Sequence, residues 1–117
     1  MEVQAITRNV RMSAQKMREV VRQIQGLPVA HAQAVLAVVP RKGARVVAKT
    51  LKSARANAED LKTHKEAYAG MNIENLHVKL AVAGTAGIQR RFTPKARGSA
   101  GPILKRNCHV KIVLSDE

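Results

Sequence analysis

The chain has 117 residues, 21 Lys and Arg against 8 Asp and Glu, and a formal net charge of +13, which points to one small domain with an anionic partner. Its only aromatics are Tyr68 and Phe92, so the stacking platforms that hold single-stranded nucleic acid are missing, and phosphate and shape recognition of a folded nucleic acid is the mode that fits. The lone Cys108 excludes an intramolecular disulfide, and the longest purely apolar run, Ala34 to Val39, is far short of a membrane span.

The opening MEVQAITRN lacks the apolar stretch of a signal peptide, and with the unpaired cysteine it points to a soluble, intracellular protein. Val3, Ala5 and Thr7 alternate there with Gln4, Ile6 and Arg8, which predicts a first strand. Ser13 reads as the N-cap of a first helix and Gly26 as the residue just past its end. Between them Met17, Val20, Val21 and Ile24 share one apolar face, while Arg11, Lys16, Arg18 and Arg22 lie around it or on the other faces. Pro28 suits the first position of a second helix, which carries Ala32, Val35, Leu36 and Val39 inward and stops at Pro40. Almost uncharged, this helix is scaffold.

A third helix is expected from about Arg41 to Leu61, with Val47, Leu51, Ala54, Ala58 and Leu61 on one face. Arg41, Arg45, Lys49, Lys52 and Arg55 fall together on the opposite side. A solvated polar face is the ordinary explanation of such a stripe. Against it, no acid occurs between Val20 and Ala58 to form an i,i+4 pair, and Arg41 and Lys42 stand at a helix N-terminus that disfavours cations. Charges kept at that cost suggest a surface facing phosphates. The small residues Ser53 to Ala58 fit close packing against a sheet, with Asn57 nearer the edge and free to contact backbone or a partner.

Lys62 to Asn75 reads as a polar connection with turns at Gly70 and Asn72. Leu76, Val78, Leu80 and Val82 then alternate with His77, Lys79, Ala81 and Ala83 as a strand. Cys108, Val110, Ile112 and Leu114 alternate with His109, Lys111 and Val113 as another, and the two should pair antiparallel. Between them lies GTAGIQRRFTPKARGSAGP, Gly84 to Pro102, with Arg90, Arg91, Lys95 and Arg97 and no acid. If the strands continue toward a tip, each arm of about eight residues projects roughly 25 Å at the usual strand rise. Gly84, Gly87, Gly98 and Gly101 form no nucleotide fingerprint and mark bends or close backbone approaches.

Catalytic and metal chemistry is not written here. His31, His64, His77, His109 and Cys108 have no zinc-ligand spacing, and a His77–His109 cross-strand contact is expected to be an ordinary polar pair. The acids are scattered or terminal, without a paired carboxylate, nucleophile elbow or phosphate-cradling loop. No enzyme activity, cofactor or metal is expected.

Four motifs occur in order along nearly the whole chain. They are Ser-x-x-Lys-x-Arg opening the first helix (Ser13, Lys16, Arg18) and Ser-Ala-x-Ala-Asn-Ala late in the third (Ser53 to Ala58). Arg-Arg-x-x-Pro-x-Ala-x-Gly follows in the finger (Arg90, Arg91, Pro94, Ala96, Gly98), then Lys-Arg-x-x-His opening the last strand (Lys105, Arg106, His109). In these the chain resembles bacterial-type ribosomal protein twenty-two of the large subunit. The family usually has Arg where Lys95 and Ser99 stand, and Leu61 to Asn75 departs from its common pattern.

The resemblance implies an α+β fold, with three helices packed on a small antiparallel three-stranded sheet and a long protruding β-hairpin. One domain over residues 1–117 is expected, with 84–102 as the hairpin tip. It implies a cytoplasmic protein (organellar if the source is an organelle) that binds large-subunit ribosomal RNA near the exit of the nascent-chain tunnel, aids assembly, and lines that tunnel with its hairpin. Neighbouring ribosomal proteins and the nascent polypeptide are the other implied partners; outside the ribosome it should be monomeric. The RNA-binding set expected from charge and resemblance is Arg8, Arg11, Ser13, Lys16, Arg18, Arg41, Lys42, Arg45, Lys49, Lys52, Arg55, Asn57, Arg90, Arg91, Lys95, Arg97, Lys105, Arg106 and His109. Phe92, Pro94, Ala96 and Gly98 join Arg90, Arg91, Lys95 and Arg97 at the tunnel tip. The alternative, a DNA-compacting protein, calls for dimer symmetry or groove readout, which the sequence does not display.

Overall fold

Two separate sheets organise the chain, which a computed structural model describes over residues 1–117. The first is three-stranded, with β5 (Cys108–Ser115) at its centre and β1 (Glu2–Val10) and β2 (His77–Thr85) antiparallel on either side. The second pairs β3 (Gln89–Pro94) with β4 (Ala100–Lys105) as a hairpin inserted between β2 and β5. Helices α1 (Ala14–Val21), α2 (Val29–Val38) and α3 (Lys42–His64) join one face of the three-stranded sheet in a single core of 24 buried residues. This is the α+β architecture expected. The long axis measures 67 Å and the radius of gyration 17.7 Å, against about 13 Å for a compact chain of this length. The hairpin accounts for the excess: none of its residues belongs to the core, which jumps from Ala83 to Cys108.

The helices obey their periodicity, with shifted ends. Ser13 Oγ accepts the Lys16 N–H at 3.4 Å as a cap, and Met17, Val20 and Val21 are buried beneath it. Regular helix stops at Val21, well before Gly26, because the chain must turn to meet β2: Gly26 N–H donates to Val78 O at 2.9 Å and Val78 N–H to Leu27 O at 2.8 Å. Tight bonds from Gln23 to Val20 and from Ile24 to Val21 carry the turn onward, so Ile24 still enters the core. Pro28 sits just before α2, not inside it, and its carbonyl accepts the Ala32 N–H at 2.8 Å. Helix α3 runs three residues past Leu61 to His64 and buries Val47, Leu51, Ala54 and Ala58.

The connection after α3 is more structured than its polarity suggested. Two 3₁₀ turns, Glu66–Tyr68 and Ile73–Asn75, hold Met71 in the core at 1% exposure. Asn72 organises the second turn: its Oδ1 accepts the Glu74 N–H, and its own N–H donates to the Asp116 carboxylate at 3.2 Å.

The main departure from expectation lies in β2. Val78 pairs with Leu114 and Leu80 with Val113, so Lys79 is an extra residue opposite one step of β5. Such a bulge reverses the faces of everything after it. Leu76 and Val78 are buried as expected, but beyond the bulge Ala81 and Ala83 turn inward while Leu80 and Val82 are 37% and 40% exposed. A fully buried aliphatic side chain contributes about 1.5–3 kcal/mol, so the isolated fold forgoes part of that at each position. The inner alanines let α1 approach closely, where Arg18 Nε donates to Ala83 O at 3.1 Å.

Candidate nucleic-acid interface

Helix α3 displays its cations as the spacing requires: Arg41, Arg45, Lys49, Lys52 and Arg55 are all exposed. The absence of compensating acids does not hold along the whole row. Arg41 Nη1 lies 3.0 Å from Glu19 Oε2, an acid brought in from α1, and Arg55 Nε lies 3.4 Å from Glu59 Oε1 one turn on. Arg45, Lys49 and Lys52 take part in no ion pair. These three form the uncompensated part of the stripe, facing outward with mutual repulsion unrelieved. Asn57, left open from the sequence, contacts backbone: its Nδ2 donates to Gln4 O at 3.2 Å and covers the free edge of β1.

A second group gathers where the hairpin leaves the body. Arg11, Ser13, Lys16, Lys42 and Arg106 line one depression, and Ser13, Arg18 and Arg106 with Asn107 line its neighbour. Several of these cations are already engaged with the protein's own backbone. Arg11 Nη1 donates to Arg106 O at 2.7 Å, Lys42 Nζ to Arg11 O at 3.3 Å, and Arg18 Nε to Ala83 O. They brace the neck while lining the depressions. Lys16 and Arg106 make no such side-chain bond and are exposed.

His109 has a defined role in the same region. Its Nδ1 accepts the Asn9 N–H at 3.0 Å, which fixes the neutral ring as the Nε2–H tautomer. Asn9 has φ 56, in the irregular stretch of β1 between Thr7 and Val10. Arg8 precedes it and is exposed. His77 and His109 are not cross-strand neighbours: His77 faces Ser115 and His109 faces Gly84.

The residue that sequence reasoning missed at the neck is Asn107. Its carbonyl accepts the Ala86 N–H at 3.1 Å and its Nδ2 donates to Gly87 O at 2.9 Å. One residue thus closes the gap between the two sheets. No charge or periodicity marks it out.

The hairpin itself alternates as a two-stranded sheet must. Arg90, Phe92 and Pro94 share one face with Leu104, Pro102 and Ala100; Gln89, Arg91 and Thr93 share the other with Lys105, Ile103 and Gly101. Arg90 and Arg91 therefore project to opposite sides. Phe92 is 77% exposed. The tip turns through Ala96–Gly98, with Arg97 at φ 59 and Gly98 at φ +74, and Lys95 N–H bonds Ser99 O at 2.6 Å. At Gly101 a Cβ would meet Lys95 Cε at 2.6 Å, the end of an exposed, flexible side chain that can swing aside. Gly84 and Gly87 differ from expectation: each has open space around it and no positive φ.

No group of three or more His, Cys, Asp or Glu side chains is gathered to hold a metal. Burial raises the Cys108 thiol above its ordinary pKa, which keeps it a protonated core side chain. No helix is long and apolar enough to cross a membrane.

A braced cationic neck, a cationic helix row and a bare basic hairpin coincide with a match of residues 5–115 to the model of the family described as ribosomal protein L22p/L17e. The chain belongs to that family. A protein from Opitutus terrae named large ribosomal subunit protein uL22 is 47% identical over 116 residues, covering 99% of this chain and 96% of its own. The uL22 protein of Akkermansia muciniphila is 43% identical over 117 residues, covering 100% and 98%. That of Finegoldia magna is 42% identical over 116 residues, covering 99% and 97%. The L22p/L17e match therefore takes in both the body and the hairpin, and it is a family of ribosomal proteins by its own description.

Proposed function

We propose that this protein is a non-catalytic constituent of the large ribosomal subunit in the cytoplasm, whose body binds ribosomal RNA through phosphates and whose hairpin lines the nascent-peptide tunnel. The observation that carries the first half is the set of uncompensated cations: Arg45, Lys49 and Lys52 on α3, and Lys16 and Arg106 at the neck. Their number and exposure suit neutralisation of a sugar-phosphate backbone and leave base stacking unused. Arg8, Arg11, Ser13, Arg18, Arg41, Lys42, Arg55, Asn57, Lys105 and His109 border these groups and complete the contact surface.

The second half rests on shape. Thin, exposed on both faces and outside the core, the hairpin suits threading between RNA segments. Arg90, Arg91, Lys95 and Arg97 meet phosphates along it, and Phe92, Pro94, Ala96 and Gly98 with them face the tunnel and the nascent chain. Residues 1–117 make up one domain with 84–102 as the hairpin tip within it, monomeric before assembly and needing no cofactor. Neighbouring ribosomal proteins are its further partners. Against the alternative of a DNA-compacting protein stands the match to a family of ribosomal proteins.

The test is the salt dependence of binding between the free protein and a large-subunit RNA fragment. Each phosphate neutralised contributes roughly −0.7 to −0.9 to the slope of log affinity against log salt. Six or more contacts give a steep slope. Affinity that barely changes between low and moderate salt overturns the phosphate reading.

A further inference from the structure

The face of the three-stranded sheet turned away from the helices is not the polar surface an antiparallel sheet usually shows to water. Row by row across the strands it carries Gln4, Val113 and Leu80, then Ile6, Lys111 and Val82. Ile6, Leu80 and Val82 are 44%, 37% and 40% exposed, and they surround one ammonium, Lys111. The bulge at Lys79 puts two of the three there. Scattered aliphatic side chains on a surface need no explanation, but a contiguous set assembled by a backbone irregularity marks an interaction site.

The charges around the patch define its complement. Lys79 reaches across β5 to Glu2 and is neutralised. Lys111 makes no ion pair and no hydrogen bond through its side chain to the rest of the protein. One uncompensated cation framed by aliphatic groups calls for one carboxylate on an apolar segment. A phosphate backbone would satisfy Lys111 but leave Ile6, Leu80 and Val82 dehydrated against polar atoms, since nucleic-acid interfaces are polar and densely cationic. The cations that suit RNA stand elsewhere, on α3 and at the neck.

Three strands at about 4.8 Å spacing, with two residue rows about 7 Å apart, give a footprint roughly 10 Å across, the width of one helix. Strand addition at either edge is obstructed. Asn57 covers Gln4 O on β1, while the 26–29 segment and Arg18 cover β2.

We propose that Ile6, Leu80 and Val82 around Lys111, with the buried Val113 as the floor between the strands, form a docking face for a single apolar segment of a neighbouring ribosomal protein, whose carboxylate pairs with Lys111. This rests on the chain being a ribosomal constituent. The test replaces Val82 by a residue carrying a short aliphatic diazirine and irradiates purified large subunits assembled with that chain. The expected result is one protein adduct, mapped to an acid-bearing apolar segment, and its yield falls about five-fold or more when Lys111→Glu is added. The same probe at Ile6 should give the same adduct. Adducts to RNA at both positions, or no adduct at either in assembled subunits, overturn the proposal and leave the ribosomal assignment standing. A wild-type chain that fails to enter the subunit overturns the assignment and the docking face together.

Discussion

The hydroxyl of Thr7 on β1 lies 2.6 Å from that of Thr50 on α3, and Thr50 Oγ1 also donates to Val46 O at 2.9 Å. Thr50 has a single hydroxyl proton and gives it to Val46, so Thr7 must be the donor between the two. This is the one side-chain hydrogen bond that ties the cationic helix to the sheet beneath it from within the core boundary, with Thr50 only 1% exposed.

Replacing Thr50 by Val keeps its shape and removes the acceptor, so the first prediction is a loss of about 1 kcal/mol. The midpoint of thermal unfolding should fall by several degrees. Adding Thr7→Val removes the stranded donor and should recover part of the loss. Denaturant titration of the four proteins of this cycle measures it; strictly additive losses would show that the two hydroxyls are not coupled.

The second prediction separates charge from fold on α3. Arg45→Gln, Lys49→Gln and Lys52→Gln together remove three exposed cations that make no ion pair, and Gln retains good helix propensity. RNA affinity should fall and the salt slope flatten by roughly two to three, while thermal stability stays equal or rises slightly as repulsion is relieved. Arg41 and Arg55 are left alone because each has an acidic partner. Unchanged affinity with a marked loss of stability would return the row to a merely solvated face.

These features differ in how far the sequence foretold them. The α3 stripe was legible because Arg45, Lys49 and Lys52 repeat at helical spacing, and the buried faces of α1 and α3 were legible for the same reason. The faces of β2 were not. Alternation in Leu80-Ala81-Val82-Ala83 offers an apolar residue at every position, so nothing in the period announces a bulge, and size alone favoured the wrong side. Met71 was hidden in a polar segment because a single core contact leaves no periodicity. The Glu19–Arg41 pair is tertiary and joins residues 22 apart. Asn107 acts through backbone atoms of its neighbours, a role no composition or spacing encodes.

Asn107 supplies the third prediction. Asn107→Ala removes the bond to Gly87 O but keeps the backbone bond from Ala86, which weakens the neck by about 1 kcal/mol without touching the core. Amide exchange at the neck should quicken about five-fold while the body melts within a degree or two of wild type. A large drop in melting temperature would mean that the hairpin junction is part of the core.

The fourth prediction concerns acid. The Lys79 ammonium holds the Glu2 carboxyl below its ordinary pKa, and Glu2 in turn raises that of Lys79. A depressed carboxylate contributes stability above its unfolded value, near 4.3, and loses it as pH falls through the lower folded value. The raised ammonium contributes below about 10.4 and loses its share as pH rises past that. The pair therefore contributes across the neutral range. Glu2→Gln should flatten the acid limb of the stability profile below about pH 4.5 and leave its shape near neutrality unchanged; because both groups are exposed, the difference is small and disappears in high salt. A profile identical to wild type below pH 4 would dismiss the pair.

The last prediction is that the hairpin can be excised cleanly, and the structure says where. The last paired residues of the body sheet on either side are Thr85 and Cys108, which face each other across β2 and β5. Cutting at Gly84 and Pro102 would leave Ile103 to Asn107 without a partner strand and shift Cys108 out of register. Replacing residues 86–107 with a two-residue Asn-Gly turn joins a facing antiparallel pair, the connection such turns favour. Because the core contains no residue between Ala83 and Cys108, the excised protein should unfold within about 1 kcal/mol of wild type. One retained side chain loses a partner in the neck, Arg11, which bonded Arg106 O; Ala86, Gly87 and Asn107 are removed together with the bonds among them. Arg11 is exposed and can be rehydrated at little cost. On the proposed function, the excised chain should still enter the large subunit through its body, and what changes should be the lining of the nascent-peptide tunnel. Denaturant unfolding and sedimentation with the subunit measure the two halves separately. An excised protein that fails to fold would show that the hairpin supports the core; one that folds yet never enters the subunit would place the assembly contacts on the finger instead of the body.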